Sequence, residues 1–348
     1  MPKRIGRYTV EIENNVTIHS SAGIAGKKES EGPLGKFFDK TFKDNKLGQS
    51  SWEKAESMLQ TIAVDTALKK ASLSPKDIDI ILAGDLLNQC ISSTFGLRDL
   101  NIPFLGQYGA CSTMAQTLAL GSILVDSGAA ERCIAVTSSH FCSAERQFRL
   151  PLEYGGQRTP TAQWTVTGSG AAILDKSEGG NSIRAVTIGK IVDLDIKDAN
   201  NMGAAMAPAA ADTICNFFQD THFKPNDFDL ILTGDLGKIG SILLNELLEK
   251  DGIKIGKKHN DCGLMIYDID SQDVHAGGSG CGCSGSVFCS YIMNRLNKGE
   301  LNNILFVATG ALMSPTSSQQ GESIPGIAHL LHIFGGHSSK SNHHISRL

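Results

Sequence analysis

The sequence contains no apolar run long enough to cross a bilayer. A spanning helix needs about 20 such residues, whereas the stretch at 78–83 is already broken by Asp79. The amino terminus is basic (Lys3, Arg4, Arg7), but no apolar segment follows it, which predicts no secretory signal peptide. If the protein works at a membrane, partners must hold it there. No C-x-x-C pair occurs either. Nine cysteines are an odd number in a chain without an export signal, which argues against a disulfide framework. The closest cluster, Cys281, Cys283 and Cys289, lacks structural-zinc spacing. Cys133, Cys215 and Cys289 read instead as buried thiols in strand-like or helix-like runs. Positive charge is not in excess: 32 Lys and Arg against 36 Asp and Glu give a net charge of −4. That argues against a nucleic-acid binder relying on a global positive field. No G-x-x-x-x-G-K-[ST] motif is present, so the chain is not a P-loop nucleotidase.

What the chain does have is ordinary globular composition and too much glycine. Its 348 residues are 41% hydrophobic and 20% charged, and the length suggests two packed units. Glycine accounts for 37 residues, well above the usual share of about 7%. These glycines cluster after strand-like runs, where backbone comes close to something.

The strongest internal signal is a repeat. Pro75, Asp77, Asp79, Ile81, Leu82, Gly84, Asp85 and Leu86 recur 150 positions later as Pro225, Asp227, Asp229, Ile231, Leu232, Gly234, Asp235 and Leu236. Each copy follows a helix-like stretch (52–71 and 209–219), then a helix-stopping proline, then a short strand rich in Ile and Leu. Strand-like runs at 133–137 and 304–308 are each preceded by a helix and a glycine (Gly128, Gly299). Near-continuous apolar strands alternating with helices predict a parallel, helix-covered sheet. Two copies predict a duplicated α/β chain, with one half over 1–180 and the other over 181–348, related by a pseudo-two-fold axis. Ligands in such sheets bind outside the carboxyl ends of the strands. The lysine-rich segment 27–50 reads as a solvated excursion, or as a docking surface for a partner or anionic lipid. The tail 335–348 has no periodicity and is expected to fray.

Cys111 carries the clearest chemistry. It stands in Gly109-Ala110-Cys111-Ser112, just before a nearly apolar helical stretch at 116–125. At the amino end of a buried helix, unsatisfied N–H groups and the helix dipole favour a thiolate and lower its pKa from about 8.5. Cys111 is therefore a nucleophile, an anion contact, or a buried cysteine.

A duplicated α/β chain with a cysteine opening a buried helix resembles the thiolase fold of the condensing-enzyme superfamily. The segment 24–26, after a strand at 16–21, resembles that family's first strand. Residues 167–174 look like the glycine-alternating strand of ketoacyl synthases, with Ser169 in place of the acid. Residues 202–209 resemble the stretch opening the second half of thiolases. The resemblance implies a five-layered α-β-α-β-α arrangement and a homodimer in which a strand near 134–138 pairs across a two-fold. Runs beginning at Gly32, Ser51 and His275 are similar, more narrowly, to a thiolase-like family of the stage V sporulation machinery. This implies dipicolinic acid as ligand, with or without calcium, and the other stage V sporulation A membrane proteins as partners. It also implies a peripheral place at the spore inner membrane.

The departures from the enzymes matter most. Thiolases and condensing enzymes activate their cysteine with His, or His with Asn. One such His falls here on Gly234, the other on Ser279, and no second cysteine stands near 309–311. Neither glycine nor serine is a general base; His275, four residues before Ser279, is the one residue placed to compensate. The formal G-x-G-x-x-G at 280–285 is followed by a strand-like run ending in Thr309 and Gly310 rather than an acid, which excludes a Rossmann dehydrogenase. No resident cofactor or metal is expected.

The expected site is a preformed cleft for a small anion. Cys111 lines its floor. His275, with Gly277, Gly278 and Ser279 of the 277–285 loop, shapes its wall. Arg146, Arg149 and Arg158, set among Phe148, Tyr154 and Trp164, supply charge. Asp193, Asp195 and Asp198 are a calcium contact or a solvated connection between halves. His329 and His332 alternate in a strand-like run and read as packing residues. A non-catalytic binder is the expected function. An acyl-thioester transferase using Cys111 and a structural adaptor without a pocket are its rivals.

Overall fold

The structure is a computed structural model that describes residues 1–148 and 158–336. Arg149, Tyr154 and the tail from 337 to 348 lie outside the described residues.

The repeated sequence folds into a repeated topology. In the first half, β1 (Thr17–Ala25), β2 (Ile80–Gly84), β3 (Phe104–Gly106), β4 (Cys133–Ser139) and β5 (Gly168–Asp175) lie in the order β3-β2-β4-β5-β1. In the second, β6 (Asn181–Ile188), β7 (Leu230–Thr233), β8 (His259–Asp261), β9 (Asn303–Ala311) and β10 (Gly326–Phe334) lie in the order β8-β7-β9-β10-β6. The permutation is the same in both. The two sheets meet where Asn181 and Ser182 of β6 pair with Ile18 and Thr17 of β1.

The expectation of a parallel sheet is corrected in part. β2 runs parallel to β3 and β4, and β7 to β8 and β9. β5, however, is antiparallel to β1 and β4, and β10 to β6 and β9. Both strands are covered on both faces, so each reads as a continuous apolar run whichever way it points.

Helices α1 (Trp52–Lys70), α2 (Thr113–Ser127), α3 (Phe141–Phe148), α4 (Met202–Thr221) and α5 (Gly237–Lys250) follow the chain. α6 (Cys281–Val287) continues through a π-helical turn at Phe288–Ile292 into α7 (Met293–Asn297). α1 covers the outer face of the first sheet, and α4 that of the second, with α5 packed on α4. α2, apolar nearly all round, packs on strands of both sheets. α6 lies on β1, β4 and β5, and Phe288 beyond it stacks on Phe306 of β9 with ring centres 4.4 Å apart. α2 and α6 thus form the middle of the α-β-α-β-α stack. Part of the glycine excess serves this layer: a Cβ on Gly170 of β5 would stand 2.0 Å from the Gly285 carbonyl oxygen of α6.

The repeated aspartates do the same work twice. Asp79 accepts the backbone N–H groups of Glu131 and Arg132, at 2.7 and 2.9 Å, and so fixes the entry to β4. Asp229 accepts those of Asn302 and Asn303, at 2.8 and 3.0 Å, at the entry to β9.

Two further expectations need correcting. Residues 134–138 lie in β4, hydrogen-bonded to β2 on one side and β5 on the other, so they offer no free edge for a dimer. The segment 27–50 is not wholly a solvated excursion. Glu29 is buried, its carboxylate accepting the Thr167 N–H at 2.9 Å and the Tyr267 hydroxyl, and Leu34 and Phe38 are buried too.

Burial also shifts acids that the function does not use. Glu56 of α1 accepts hydroxyls from Ser138 and Ser143, at 3.0 and 2.6 Å. Burial, reinforced by the charge of Asp85, pushes its pKa up to about 8. Above the ordinary carboxylate range the unfolded chain has released this proton while the folded chain still holds it. Stability therefore falls as pH rises toward 8, by up to about 1.4 kcal/mol per pH unit from this one group. Glu56→Gln mimics the protonated acid, so its melting temperature is expected to change less between pH 5 and 8 than that of the parent. Equal slopes in a thermal-melt series would show that Glu56 is not the source.

Candidate functional site

The turn before α2 sets Cys111 in place. Ala110, Cys111 and Ser112 form a single 3-10 turn with Ala110 at φ 50°, and Ser112 Oγ and Thr113 Oγ1 close it by donating to the carbonyls of Gly109 and Ala110, each at 2.6 Å. Cys111 is 6% exposed, with its Sγ 3.9 Å from Ser279 Oγ. Ser279 belongs to a short strand, Gly278–Ser279, which pairs with Trp164–Thr165.

Asp235 completes the group. It stands two residues past the end of β7 and is fully buried. One oxygen accepts Ser279 Oγ at 3.1 Å and the Gly280 N–H at 3.0 Å, and the other accepts Thr309 Oγ1 at 2.8 Å. Its repeat partner Asp85 instead accepts Leu87 N–H at 2.9 Å and Ser93 N–H and Oγ at 2.8 and 2.6 Å. One copy braces the fold and the other faces the thiol.

The electrostatics reverse the expectation for Cys111. Burial, then the charge of Asp235 and its hydrogen bond, push the thiol well above its ordinary value. A 3-10 turn has little aligned dipole, and a carboxylate stands where a cation would stabilise a thiolate. Burial raises the Asp235 pKa as well, against its four hydrogen bonds.

A cavity of about 230 Å³ opens beside the thiol. From the first half it is lined by Leu86, Tyr108, Cys111 and the Ala144, Glu145 and Phe148 face of α3. From the second come Met202, Ser279, residues 311–314 and Ser317 of α8 (Pro315–Gln319). The wall is mostly apolar, with the hydroxyls of Thr165, Ser279, Ser314 and Ser317 set into it. Among the described residues, no Lys, Arg or His lines it.

Of the expected site residues that the structure describes, Cys111, Ser279 and Phe148 line this cavity, and Arg146, Arg158, His275, Gly277, Gly278 and Asp193 are not among its lining residues. Arg146 is half-exposed and paired with Glu53. Arg158 lies 4.8 Å from the Trp164 ring centre and donates to the Gln163 carbonyl. His275 is near Asp273 (3.5 Å) with its side chain 30% exposed, and it is not among the residues lining the cavity. Gly277, at φ 109°, would put a Cβ 2.7 Å from the Gly263 carbonyl oxygen, and Gly278 packs on Ile266 and Val166. The close approach that these glycines allow is to protein. Asp193 accepts Ser323 Oγ at 2.5 Å and the Asp195 N–H at 2.9 Å. Among the described residues, no three His, Cys, Asp or Glu side chains group to hold a metal. His332 is buried against Phe217, Phe223 and Phe228 and bonds Asn303 at 2.7 Å, a packing role.

Asp235 and Thr309 are the site residues that sequence reasoning missed. The signal was available: a repeated aspartate in a pattern that otherwise pins strands, and a threonine where thiolases carry their second cysteine.

The comparisons with known proteins agree with this geometry. The family model for stage V sporulation protein AD matches residues 6–334. The stage V sporulation protein AD of Bacillus subtilis (strain 168) is 51% identical over 327 residues, covering 94% of this chain and 96% of the relative. Among solved structures, 3-oxoacyl-[acyl-carrier-protein] synthase III from Aquifex aeolicus VF5 matches with a TM-score of 0.55 at 13% identity, covering 92% of this chain and all of that one. A cerulenin-bound variant of OleA from Xanthomonas campestris matches with a TM-score of 0.59 at 12% identity, covering 92% and 96%. At such identities the likeness is one of fold, and that fold is the thiolase fold of condensing enzymes.

Proposed function

The chain belongs to the stage V sporulation protein AD family, and from that membership we propose that it is a non-condensing thiolase-fold protein that binds dipicolinic acid, free or as its calcium chelate, in the cavity beside Cys111. The observation that carries this reading is the company of Cys111. Its partners are a hydroxyl and a buried carboxylate, and its thiol is held protonated. Among the described residues no histidine, lysine or arginine lines the cavity, so the thiol lacks the imidazole partner with which condensing enzymes activate their cysteine. What the site retains is a small cavity with an apolar wall and a few hydroxyl donors, which suits a flat ring bearing carboxylates.

The same chemistry ranks the species. A bare dianion would enter a cavity whose acidic lining residue among the described ones is Glu145, with Asp235 behind Ser279. Calcium cancels the ligand's charge and removes most of that penalty. The chelate is therefore the favoured guest. Calorimetric titration with dipicolinate, with and without calcium, tests the reading. Stable acyl transfer from acetyl-coenzyme A to Cys111 would replace it with the transferase.

The chain acts as a homodimer beside the stage V sporulation A membrane proteins, peripheral to the spore inner membrane, as the second part of this proposal. Of the two ends of the strand order, β3 is the edge proposed for the dimer: Phe104 and Leu105 are exposed on it, and Phe95 and Tyr108, close in sequence, are exposed too. Analytical ultracentrifugation is expected to show a dimer that Leu105→Lys turns into a monomer. A monomeric parent chain would remove this part of the proposal.

A further inference from the structure

Lys27, Lys36, Lys40, Lys43, Lys46 and Lys54 are exposed along one segment of a chain whose net charge is −4. The acids of that segment are largely engaged. Glu29 is buried on Tyr267, Asp39 binds Lys70 at 3.0 Å, and Glu53 pairs with Arg146. Asp44 accepts the backbone N–H groups of Lys46 and Gly48, at 3.2 and 3.0 Å. Glu31 is the remaining acid. Among the described residues, none of the six lysines has a carboxylate within ion-pair distance. With Asp44 and Glu31 as its exposed unpaired acids, the segment still turns a net positive charge outward in a chain of net charge −4.

Aromatic rings lie beneath these cations. Both tryptophans of the chain are here: the Lys46 ammonium is 4.8 Å from the Trp52 ring centre, and that of Lys28 is 4.3 Å from Trp164. Lys36 and Lys40 stand over Phe37 and Phe42 at 5.2 and 5.0 Å. Trp52 packs on His140 at 5.5 Å and Trp164 stacks on Phe141 at 3.8 Å, so the two indoles contact consecutive residues at the start of α3. Each of these rings is partly exposed.

We propose that this face docks on an anionic lipid surface. Lysine carries the charge; its compact ammonium on a flexible stem suits a diffuse layer of headgroups, whereas arginine's fork suits single bidentate acids. The charge is spread along turns and short elements rather than converging on one point, which fits a plane better than a peptide. Half-exposed Trp and Phe under ammonium groups are the side chains that settle at headgroup depth. No helix among the described residues is long and apolar enough to cross a membrane, so attachment through this face is peripheral and sensitive to salt. α3 starts at this corner and carries Ala144, Glu145 and Phe148 of the cavity wall, which brings the cavity close to the docked surface. The inference deepens the membrane-side part of the proposed function and does not depend on which ligand the cavity holds.

Sedimentation of the full chain with vesicles tests it. Binding is expected to vesicles of phosphatidylglycerol and phosphatidylcholine at low salt, and to be lost at high salt or with phosphatidylcholine alone. The triple change Lys36→Gln, Lys43→Gln and Lys46→Gln should weaken it about 100-fold, with glutamate at the same positions giving a larger loss. Melting temperature and dipicolinate affinity should stay at the parent values in both variants. No binding to anionic vesicles, or full binding by the triple variant, overturns the proposal. So does capture by reconstituted membrane partners in phosphatidylcholine vesicles without any preference for anionic lipid. Loss of dipicolinate binding with vesicle binding intact counts against the ligand reading alone.

Discussion

Titrated with dipicolinate and calcium, the protein should give a saturable heat that Ala144→Phe reduces by at least about 10-fold in affinity, since about 1.4 kcal/mol is a factor of 10. Ala144 is 3% exposed on α3, and its side chain lines the cavity. A phenyl group there takes up much of the roughly 230 Å³ available. The loss therefore comes from exclusion, and the melting temperature of the unliganded variant separates exclusion from misfolding. Ser279→Ala removes one hydroxyl donor and should cost about 0.5–1.5 kcal/mol of binding. Calcium should tighten binding, because the neutral chelate avoids the Glu145 and Asp235 carboxylates. Tighter binding of the free dianion would show that cations outside the described lining reach the ligand. No heat under any condition, with no acyl transfer to Cys111, would leave the structural adaptor.

Much of the fold could be read in the chain because the signals were redundant. The repeat around Asp79 and Asp229 marked equivalent strands, and the structure shows the same strand order in both halves. Strand direction could not be read. β5 and β10 are buried on both faces, so their sequences carry apolar character without orientation. The strand expected at the dimer was chosen for the same reason: the apolar run at β4 reflects burial in the sheet interior, while β3, the sheet-end strand proposed instead, is short and inconspicuous despite two exposed large apolar residues.

The site could be read at its centre but not at its rim. Cys111 and Ser279 were drawn together by a glycine turn and by the position of a missing histidine. Arg146 and Arg158 are not in the cavity wall because charge near an aromatic loop in sequence does not fix direction: Arg146 turns to Glu53 and Arg158 to Trp164. The glycine loop failed differently. Gly277 and Gly278 do mark a close approach, but the backbone they meet belongs to the protein. The thiol was misjudged because helix-start logic treats neighbours as neutral, and the aspartate that decides the matter is 124 residues away in the other copy of the repeat.

Asp235→Asn should make Cys111 reactive. In the parent protein, burial and the Asp235 carboxylate together hold the thiol protonated, and only the thiolate attacks an electrophile. Asparagine keeps the shape and an oxygen for the Gly280 N–H, while the Ser279 and Thr309 hydroxyls can rotate to meet the amide. The negative charge is what is lost. Each pKa unit by which the thiol falls multiplies the thiolate tenfold below that pKa. Alkylation of Cys111 by iodoacetamide at pH 8, followed by peptide mass spectrometry to separate it from the other eight cysteines, should therefore speed up by about 10-fold or more. His275→Ala, away from the cavity, should leave the rate unchanged. If Asp235→Asn and the parent react alike, burial alone governs the thiol and the aspartate is only a brace for the Ser279–Gly280 turn. If the parent already reacts quickly, Cys111 is a live nucleophile, and the case for a silent thiolase fold loses its main support. A clear rise in the variant would show that this chain holds its inherited cysteine in check with a carboxylate on the opposite half.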